Sequence, residues 1–353
     1  MSVYVIAEIG INHNGSYENC IKLIDVAVNS GCNAVKFQTF SAEHLYPKTA
    51  GKLDWKDGEK KYSYDIYDAV KSFEINLEWI DSLMNYCQQK GIDFISSIFD
   101  LHSLDFLLKK GLKIIKLSSY SITHIPLVEA CAKSHLPIIM STGGATLEET
   151  EKAVGAVLKH HNKIQLLHCS IEYPTELKDC NLGVIETLKY AFPGIEIGYS
   201  DHTFEISDAP VQSIYLGGII VEKHITLNKM LKGPDHFFAL EPHELQQMVK
   251  DIKKAEVNLN NSNFVIDKLI YGSSAKICHH NERYLRDFSY MTLFANRKIN
   301  KGEIIAPSDI SILRPGKKVR GLDPKYYYLF ENFTITAKKD IQKEDVIDWK
   351  QIL

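Results

Sequence analysis

Eight short apolar runs occupy the first two thirds of the chain, and most are followed by a stretch whose apolar residues recur every three or four positions. Such a run is typical of a strand buried on both faces, and the spacing that follows predicts a helix. Strands that alternate with helices imply a parallel sheet. The predicted strands are residues 3–10, 34–39, 93–99, 113–119, 137–142, 163–169, 195–200 and 218–224.

Eight strand–helix units in about 250 residues have the size of a closed (β/α)8 barrel, or TIM barrel. A doubly wound open sheet usually has a glycine-rich dinucleotide turn after its first strand. The corresponding turn here is polar and contains Asn12 and His13. We therefore predict an α/β fold of the TIM-barrel type. The polar insert at residues 40–71 is either a surface excursion or a lid, and the pattern favours neither.

The pattern changes from residue 289 onwards. The stretch 295–305 is repeated as 337–347, with Ile299 aligned to Ile341, which indicates a duplicated, β-rich module. The residues before it have little periodicity and resemble a linker. The predicted division is a barrel domain, a linker and a small β-rich module, at residues 1–258, 259–288 and 289–353.

The composition narrows the class of protein. Of the 353 residues, 45% are hydrophobic and 24% charged, as in a soluble globular protein. The net charge of -3 argues against a nucleic-acid partner. No apolar run reaches the roughly 18 residues of a membrane span, and the start lacks the basic region of a signal peptide. The seven cysteines have no CxxC spacing, which favours reduced thiols and a cytoplasmic location.

Two histidines follow the last two predicted strands, at the end where barrel enzymes carry their chemistry. If these strands are neighbours, about 5 Å apart, His202 and His224 could bind one divalent metal ion between them. A single buried histidine is more often hydrogen-bonded to a backbone carbonyl. A matched pair with Ser200 and Asp235 nearby favours a metal site.

Two lysines point to an anion. The two-residue alternation of strands places Lys36 and Lys116 inward, and no carboxylate lies near them in sequence to pair with. With several serine hydroxyls they would suit a phosphate group. The polar residues expected at this end of the barrel are Glu8, Asn12, His13, Lys36, Gln38, Ser97, Lys116, Ser119, Ser141, Tyr173, Ser200, His202, His224 and Asp235.

A set of motifs, in the same order along almost the whole chain, resembles the sialic acid synthase family. The C-terminal module resembles the antifreeze-like (SAF) domain of that family. The motifs are Glu8-Ile-Gly-Ile-Asn-His-Asn-Gly, Val35-Lys-Phe-Gln-Thr, Lys116-Leu-Ser-Ser, Ser141-Thr-Gly, Tyr173-Pro-Thr, Gly198-Tyr-Ser-Asp-His-Thr, Glu222-Lys-His, Gly233-Pro-Asp-His, Lys301-Gly-Glu and Arg314-Pro-Gly.

The resemblance implies a transferase reaction. Phosphoenolpyruvate condenses with an open-chain N-acetylated aminosugar, such as N-acetylmannosamine or a 2,4-diacetamido-trideoxyhexose, to give a nine-carbon 2-keto acid and phosphate. By the same resemblance His202 and His224 hold Mn²⁺ or Mg²⁺, while Glu8 and Asp235 position its waters or move protons. It also implies a homodimer, in which Arg314 of one chain closes the barrel of the other.

The remaining substrate contacts also come from the resemblance. Six residues would hold phosphoenolpyruvate, namely Lys36, Ser97, Lys116, Ser119, Ser141 and Ser200. Asn12, Gln38, Tyr173 and Arg314 complete the expected substrate site, with Tyr173 on the sugar side.

The chain departs from the family pattern at Ser121 and Ile171, which we expect on the sugar side. Gly233-Pro-Asp235 is more similar to neuraminate, legionaminate or spore-coat relatives than to pseudaminate synthases.

Three alternatives stay open. One is another phosphoenolpyruvate aldol synthase that makes a 3-deoxy sugar acid from a phosphorylated aldose, with His13, Lys223 and Lys232 as weak candidates for a second phosphate site. Another is a Schiff-base aldolase that uses Lys36 or Lys116. The third is a non-catalytic sugar-binding protein.

Overall fold

The computed structural model describes residues 2–57, 60–259 and 264–352. Eight of its strands are parallel and close into a barrel, in which each pairs with the next along the chain and the last pairs with the first. The predicted TIM barrel is therefore confirmed. The first ten strands are β1 (Tyr4–Gly10), β2 (Ala34–Thr39), β3 (Lys52–Asp57), β4 (Lys60–Asp65), β5 (Asp93–Ile98), β6 (Ile115–Leu117), β7 (Ile138–Ser141), β8 (Ile164–His168), β9 (Glu196–Asp201) and β10 (Ile220–His224), of which β3 and β4 form a separate hairpin.

Helices cover the outside of the barrel, because each carries a stripe of apolar residues that packs against the strands. The helices around the barrel are α1 (Tyr17–Ser30), α4 (Ile80–Lys90), α5 (Leu101–Lys109), α6 (Ile125–Lys133), α7 (Leu147–Leu158), α8 (Gly183–Ala191), α9 (Asp208–Tyr215) and α10 (Pro242–Val257). The polar insert contains α2 (Ala42–Leu45) and α3 (Ile66–Ser72), the segment after α10 contains α11 (Lys268–Tyr271) and α12 (Arg283–Ser289), and the C-terminal module contains α13 (Tyr327–Asn332) and α14 (Trp349–Ile352).

Local signals explain where two of the predicted helices begin and end. Ser16 accepts a hydrogen bond from the backbone of Asn19 and so caps α1, which ends at Gly31 with a φ of 81°. Thr146 and Glu149 form the predicted capping box at the start of α7. None of the helices in the described residues combines the length and the apolar character needed to cross a bilayer.

The lower part of the barrel interior is apolar. Ile6, Ile95, Ile139, Leu167 and Ile220 come from five strands and pack together there, fully or almost fully buried. Successive side chains of a strand alternate between the interior and the helices. The polar side chains nearer the carboxyl ends of the strands therefore lie above a packed apolar floor and face one end of the barrel.

The insert at residues 40–71 contains α2, the β3–β4 hairpin and α3. Its first and last parts are anchored, since Tyr46 and Ile66 are buried in an apolar cluster that also contains Phe99 and Met291. The carbonyl of Leu45 accepts a hydrogen bond from the backbone of the C-terminal module. The insert is thus a support on which that module rests at the mouth of the barrel.

The segment predicted as a linker is packed against the barrel where the structure describes it, from residue 264 onwards. The ammonium group of the buried Lys276 donates to the carbonyls of Thr142 and Ala145. The carboxylate of Glu282 accepts from two backbone amides of the barrel loops. The predicted linker, from residue 264 onwards, therefore holds these barrel loops in place and does not only join two domains.

The C-terminal module is β-rich, as predicted. Strands β11 (Thr292–Ala295) and β12 (Ile310–Leu313) pair antiparallel. The two sequence repeats meet at Ile299 and Ile341, whose backbones exchange two hydrogen bonds. Each repeat also turns through a left-handed residue, Gly302 (φ 86°) in the first and Glu344 (φ 63°) in the second.

Candidate active site

A cavity of about 440 Å³ lies at the carboxyl ends of the barrel strands, below the C-terminal module. It is lined by Glu8, Lys36, Gln38, Ser97, Phe99, Lys116, Ser118, Ser119, Tyr120, Ser141, Cys169, Tyr173, Ser200, His202, Glu222, His224, Pro234, Asp235, Leu285, Ser289 and Arg314. A larger groove of about 690 Å³ runs along α10 outside the barrel, but no histidine, cysteine or carboxylate lines it.

Lys36, on β2, is surrounded by hydrogen-bond partners inside the barrel. Its ammonium nitrogen lies 3.1 Å from the hydroxyl of Ser97, 3.1 Å from a Glu8 oxygen and 3.3 Å from a Glu222 oxygen. Burial lowers the pKa of Lys36, but the two carboxylates outweigh it, so the net shift is upward. The expectation that the inward lysines have no carboxylate partner is wrong, because their partners come from strands distant in sequence.

Lys116, on β6, is less well neutralised. Its ammonium nitrogen lies 2.5 Å from the hydroxyl of Ser141, and the nearest carboxylate oxygen, of Glu222, is 3.9 Å away. Burial lowers its pKa to about 8, opposed by Glu222 and assisted by the charge of Lys36. Lys116 is therefore the lysine of the pair with more capacity to bind an added anion.

Glu222, on β10, is a site residue that the sequence analysis did not select. Its carboxylate lies between the two lysines and accepts a hydrogen bond from Ser200 at 3.0 Å. Burial raises its pKa, but Lys116 and Lys36 outweigh burial and keep it below the ordinary value. It lies two residues before His224, so strand alternation alone would have placed it on the same face.

Two other carboxyl groups of the cavity favour their neutral forms. The pKa of Glu8 is raised, mainly by burial and also by the charge of Glu222, although Lys36 opposes the shift. Burial and the charge of Glu8 raise the pKa of Asp235 to about 7. One oxygen of Glu8 accepts from Gln38 at 2.7 Å, while the other has no hydrogen-bond partner. Asp235 can therefore exchange a proton near neutral pH.

The two predicted metal ligands do lie side by side. The ring centroids of His202 and His224 are 5.5 Å apart, and both side chains are buried. Burial lowers the pKa of His202 to about 4 and that of His224 well below 6.5, so both rings are neutral, as metal ligands must be. The ring of Tyr173 lies against His202 with centroids 4.3 Å apart.

The hydrogen bonds of this pair fit a metal ion. The Nδ1 atom of His202 bonds to the carbonyl of Ser170 at 2.7 Å, which leaves Nε2 for a ligand. The Nδ1 atom of His224 is buried without a hydrogen-bond partner, 3.7 Å from a carboxylate oxygen of Asp235. Buried polar atoms are normally satisfied. Unpartnered nitrogen and oxygen atoms around one space are therefore consistent with a cation and its waters.

The serines are brought together as predicted, and each already has a hydrogen-bond partner within the protein. Ser97, Ser141 and Ser200 bond to Lys36, Lys116 and Glu222 respectively. The hydroxyl of Ser119 instead accepts from the backbone amide of Gly143 and lies 3.1 Å from the sulfur of Cys169.

Two predicted residues of the first loop do not line the cavity. The side-chain amide of Asn12 donates to the carbonyls of Ile225 and Asp235, so it positions the loop that carries Asp235. His13 is also buried away from the cavity, and its Nδ1 atom accepts from the backbone of Gly15. We therefore interpret Asn12 as a support for the site rather than as a substrate contact.

The candidates for a second phosphate site are not part of this cavity either. Lys223, with His13 and Lys232, is absent from the residues that line it. Lys223 is buried on the outer side of β10, where it pairs with Asp201. The structure therefore gives no support to the alternative with a phosphorylated aldose.

Arg314 reaches the mouth of the cavity from the module of its own chain. Its guanidinium carbon lies 4.8, 5.1 and 5.8 Å from the ring centroids of Tyr120, Phe99 and Tyr46. The resemblance implied that this arginine closes the barrel of a second chain, and in the single chain described here it lines the cavity of its own barrel. Its Nε atom has no hydrogen-bond partner, so it can still donate to a ligand.

The two departures from the family pattern lie behind the cavity wall. Ser121 and Ile171 are fully buried and do not line the cavity, so their expected place on the sugar side is wrong. Ile171 packs against the Gly143–Gly144 turn. Tyr120, next to Ser121, does line the cavity, but no sequence pattern singled it out.

Both parts of the chain are similar to known proteins. The profile of the NeuB family matches residues 23–263, and that of the SAF domain matches residues 290–353. The chain is 38% identical to "Spore coat polysaccharide biosynthesis protein SpsE" of Bacillus subtilis, over 99% of this chain and 94% of that protein. It is 35% identical to "N,N'-diacetyllegionaminic acid synthase" of Legionella pneumophila, over 90% of this chain and 86% of that protein.

Solved structures agree over the same regions. The crystal structure of SpsE from Bacillus subtilis superposes with a TM-score of 0.88 at 37% identity and covers 100% of this chain and 95% of that one. An N-acetylneuraminic acid synthetase from Leptospira borgpetersenii, in complex with citrate, has a TM-score of 0.66 at 33% identity and covers 76% of this chain and 88% of that one.

Proposed function

The chain belongs to the NeuB family and has a C-terminal SAF domain, as its motifs predicted, and from this premise we propose that it condenses phosphoenolpyruvate with an N-acetylated aminosugar. The product would be a nine-carbon 2-keto sugar acid of the sialic or legionaminic type, with release of inorganic phosphate. One observation carries the proposal: a single cavity joins two buried lysines to two buried, neutral histidines and is closed by an arginine.

The lysine end of the cavity suits phosphoenolpyruvate. Lys36 and Lys116 bring two positive charges, and Ser97, Ser141 and Ser200 add hydroxyl donors. The nearby carboxylates would repel an anion if all were ionised. Because burial favours the neutral forms of two of the three carboxyl groups, the cavity can lose most of this negative charge when the substrate binds.

The histidine end suits the sugar aldehyde. His202 and His224 would hold the divalent ion, Mn²⁺ or Mg²⁺, with the carboxylates of Glu8 and Asp235 near enough to bind its waters. When bound, such an ion supplies Lewis acidity for a carbonyl group and lowers the pKa of water. The ring of Tyr173 fixes the orientation of His202 by packing against it.

The carboxyl groups would move the protons of the reaction. Bond formation between C3 of phosphoenolpyruvate and the aldehyde carbon requires a proton for the new hydroxyl group. Addition of water at C2 releases a proton before phosphate leaves. Asp235, with a pKa of about 7, can hold or give up a proton at neutral pH, and burial shifts the pKa of Glu8 in the same direction. Glu222 keeps its charge and orients both lysines.

The arginine would close the sugar side. The guanidinium group of Arg314 packs against three aromatic rings, which hold it in position. It can therefore donate hydrogen bonds to a carboxylate or another oxygen-rich group without a large conformational cost. We propose a neuraminate-type or legionaminate-type sugar rather than a pseudaminate-type one, as indicated by Gly233-Pro-Asp235. The 35% identity to a legionaminic acid synthase is consistent with this choice, although a pseudaminic acid synthase of Campylobacter jejuni is also 32% identical.

We also propose a homodimer in which the SAF domains are exchanged, so that the same contacts are made between chains. A mixture of two variants tests this. The His202→Ala chain has an inactive barrel but keeps Arg314. The Arg314→Ala chain has an intact barrel but lacks the arginine. Mixed dimers regain an intact site, and therefore activity at low sugar concentration, only if the arginine crosses to the other chain. No recovery after verified subunit exchange would exclude the exchanged dimer.

The seven unpaired cysteines are consistent with a cytoplasmic enzyme.

The test of the reaction is phosphate release from phosphoenolpyruvate with a panel of aldoses. We expect release with N-acetylmannosamine or a 2,4-diacetamido-trideoxyhexose, and its loss in a chelator. Release only with a phosphorylated aldose would favour the synthase of 3-deoxy sugar acids. Covalent inactivation by borohydride, with no effect of the chelator, would favour a Schiff-base aldolase. No turnover with any sugar, together with sugar binding, would favour a binding protein.

A further inference from the structure

A second set of metal-ligand side chains lies outside the cavity, on the outer side of its wall. His44, Asp100 and His102 each place one ligand atom within 4.8 Å of the other two. Among the residues that the structure describes, this is the one set of three histidine, cysteine or acidic side chains that comes so close. The pair inside the barrel does not meet the same criterion, since it lacks a third protein ligand.

Two of the three side chains, those of His44 and Asp100, are held in position by hydrogen bonds to neighbouring residues. The Nδ1 atom of His44 bonds to the hydroxyl of Ser41 at 2.9 Å. A metal on Nε2 of His44 requires a proton on Nδ1, and this hydroxyl is placed to accept it. The carboxylate of Asp100 accepts from the backbone amide and the hydroxyl of Ser103, both at 2.7 Å. Each oxygen of Asp100 keeps a further lone pair for a cation.

The two imidazoles face each other. The rings of His44 and His102 are stacked, with centroids 5.2 Å apart and an interplanar angle of 27°. His102 is exposed and His44 is half-buried, so a metal ion can enter from solvent. The carboxylate of Asp100 lies beside these two rings. The three groups have the right chemistry for a borderline cation that takes nitrogen and oxygen ligands.

We propose that His44, Asp100 and His102 bind Zn²⁺, with water as the fourth ligand. Two imidazoles and one carboxylate match the ligand preference of zinc, whereas Mg²⁺ would prefer oxygen alone. This site is separate from the pair inside the barrel, and its existence does not depend on the proposed reaction.

The position of the cluster indicates what bound zinc would do. His44 lies on α2 of the insert, and Asp100 and His102 lie at the start of α5, so the ion would join the insert to the barrel. Tyr46, two residues after His44, and Phe99, directly before Asp100, are two of the three aromatic residues around the Arg314 guanidinium. Bound zinc would therefore hold in position two of the aromatic rings that pack against Arg314.

Zinc binding to the metal-stripped full chain tests the proposal, with a chromophoric chelator as competitor to count the equivalents. His44→Ala/His102→Ala should bind one equivalent of Zn²⁺ fewer than the wild type. His202→Ala/His224→Ala should keep that equivalent, so failure of the proposed reaction does not affect the result. His243→Ala, which removes an exposed histidine on α10, should bind as the wild type does.

Two further measurements distinguish a site from a loss of folding. His102→Gln changes only the exposed ligand and should lose the same equivalent while it keeps the wild-type circular dichroism. Added Zn²⁺ should raise the melting temperature of the stripped wild type but not that of His102→Gln. Equal zinc binding by His44→Ala/His102→Ala and the wild type would overturn the proposal, as would no zinc binding by His202→Ala/His224→Ala.

Discussion

The two faces of strands β9 and β10 carry similar residue types in very different states. On the outer face, the ammonium group of Lys223 bonds to the carboxylate of Asp201, to the carbonyl of Thr203 at 2.6 Å and to that of Glu205 at 3.0 Å. Asp201 in turn accepts from the backbone and the hydroxyl of Thr203. Every one of these buried charges has its partners within the protein.

The inner face is incompletely satisfied. One oxygen of Glu222, one oxygen of Glu8 and Nδ1 of His224 are buried with no hydrogen-bond partner. Leaving buried polar atoms unpaired costs about 1–3 kcal/mol each. A fold tolerates this cost where a ligand supplies the missing partners. Buried charge alone therefore does not mark an active site in this chain, whereas buried charge with unpaired atoms around a cavity does.

The largest expected effect is on stability, from the outer face. Lys223→Met leaves the buried carboxylate of Asp201 without its cationic partner, and we expect a loss of about 3–5 kcal/mol in the free energy of unfolding. Urea denaturation measures it. The matched inner variant, Lys116→Met, should cost less stability but abolish phosphoenolpyruvate binding. Equal losses of stability in the two variants would remove the distinction between the faces.

The next effect is on turnover, from the inner face. His202→Ala should lower kcat by about 10³-fold, or about 4 kcal/mol, because the divalent ion loses one of its two imidazoles. The melting temperature should change little. His168→Asn, which alters a buried histidine bonded to the carbonyl of Cys180, should affect stability but not kcat. Wild-type turnover in His202→Ala would refute the assignment of the metal site.

The Arg314→Ala variant tests whether closing the mouth of the cavity contributes to sugar recognition. Arg314→Ala should raise the KM for the sugar by about 10–100-fold, as expected for a lost charged hydrogen bond of about 1.5–3 kcal/mol. The KM for phosphoenolpyruvate and the stability should change little. Arg297→Ala, which removes an exposed arginine paired with the buried Asp309, is the control in the same module. An unchanged KM for every sugar would exclude a role for Arg314.

The smallest effect is a dependence on pH. Lys116 has a pKa of about 8 in the free protein, so it loses its charge as the pH rises through 8. We expect phosphoenolpyruvate to bind the charged form, so its affinity should fall by up to tenfold per unit as the pH rises above about 8. Calorimetric titration from pH 6.5 to 9.5 measures this. Lys116→Arg should remove the decline, since arginine stays charged. A decline that persists in that variant would assign it to another group.

The sequence by itself determined the fold and half of the site. Periodicity is a local property, so eight strand–helix units could be recognised without knowing where they meet. Alternation along a strand then predicted that Lys36 and Lys116 face inward, and the strand ends predicted the pair of His202 and His224. The structure brings these four side chains to one cavity.

Only the tertiary structure decided which charges are neutralised and by what. Glu222 and Glu8 are far from Lys36 in sequence but within about 3.3 Å of it in the barrel, because barrel closure joins the last strand to the first. Asn12 was expected in the cavity, but in the folded chain its side-chain amide bonds to the carbonyls of Ile225 and Asp235 instead. Partners that are distant in sequence leave no local pattern, so neither the pKa values nor the aromatic rings around Arg314 could be predicted from the residues alone.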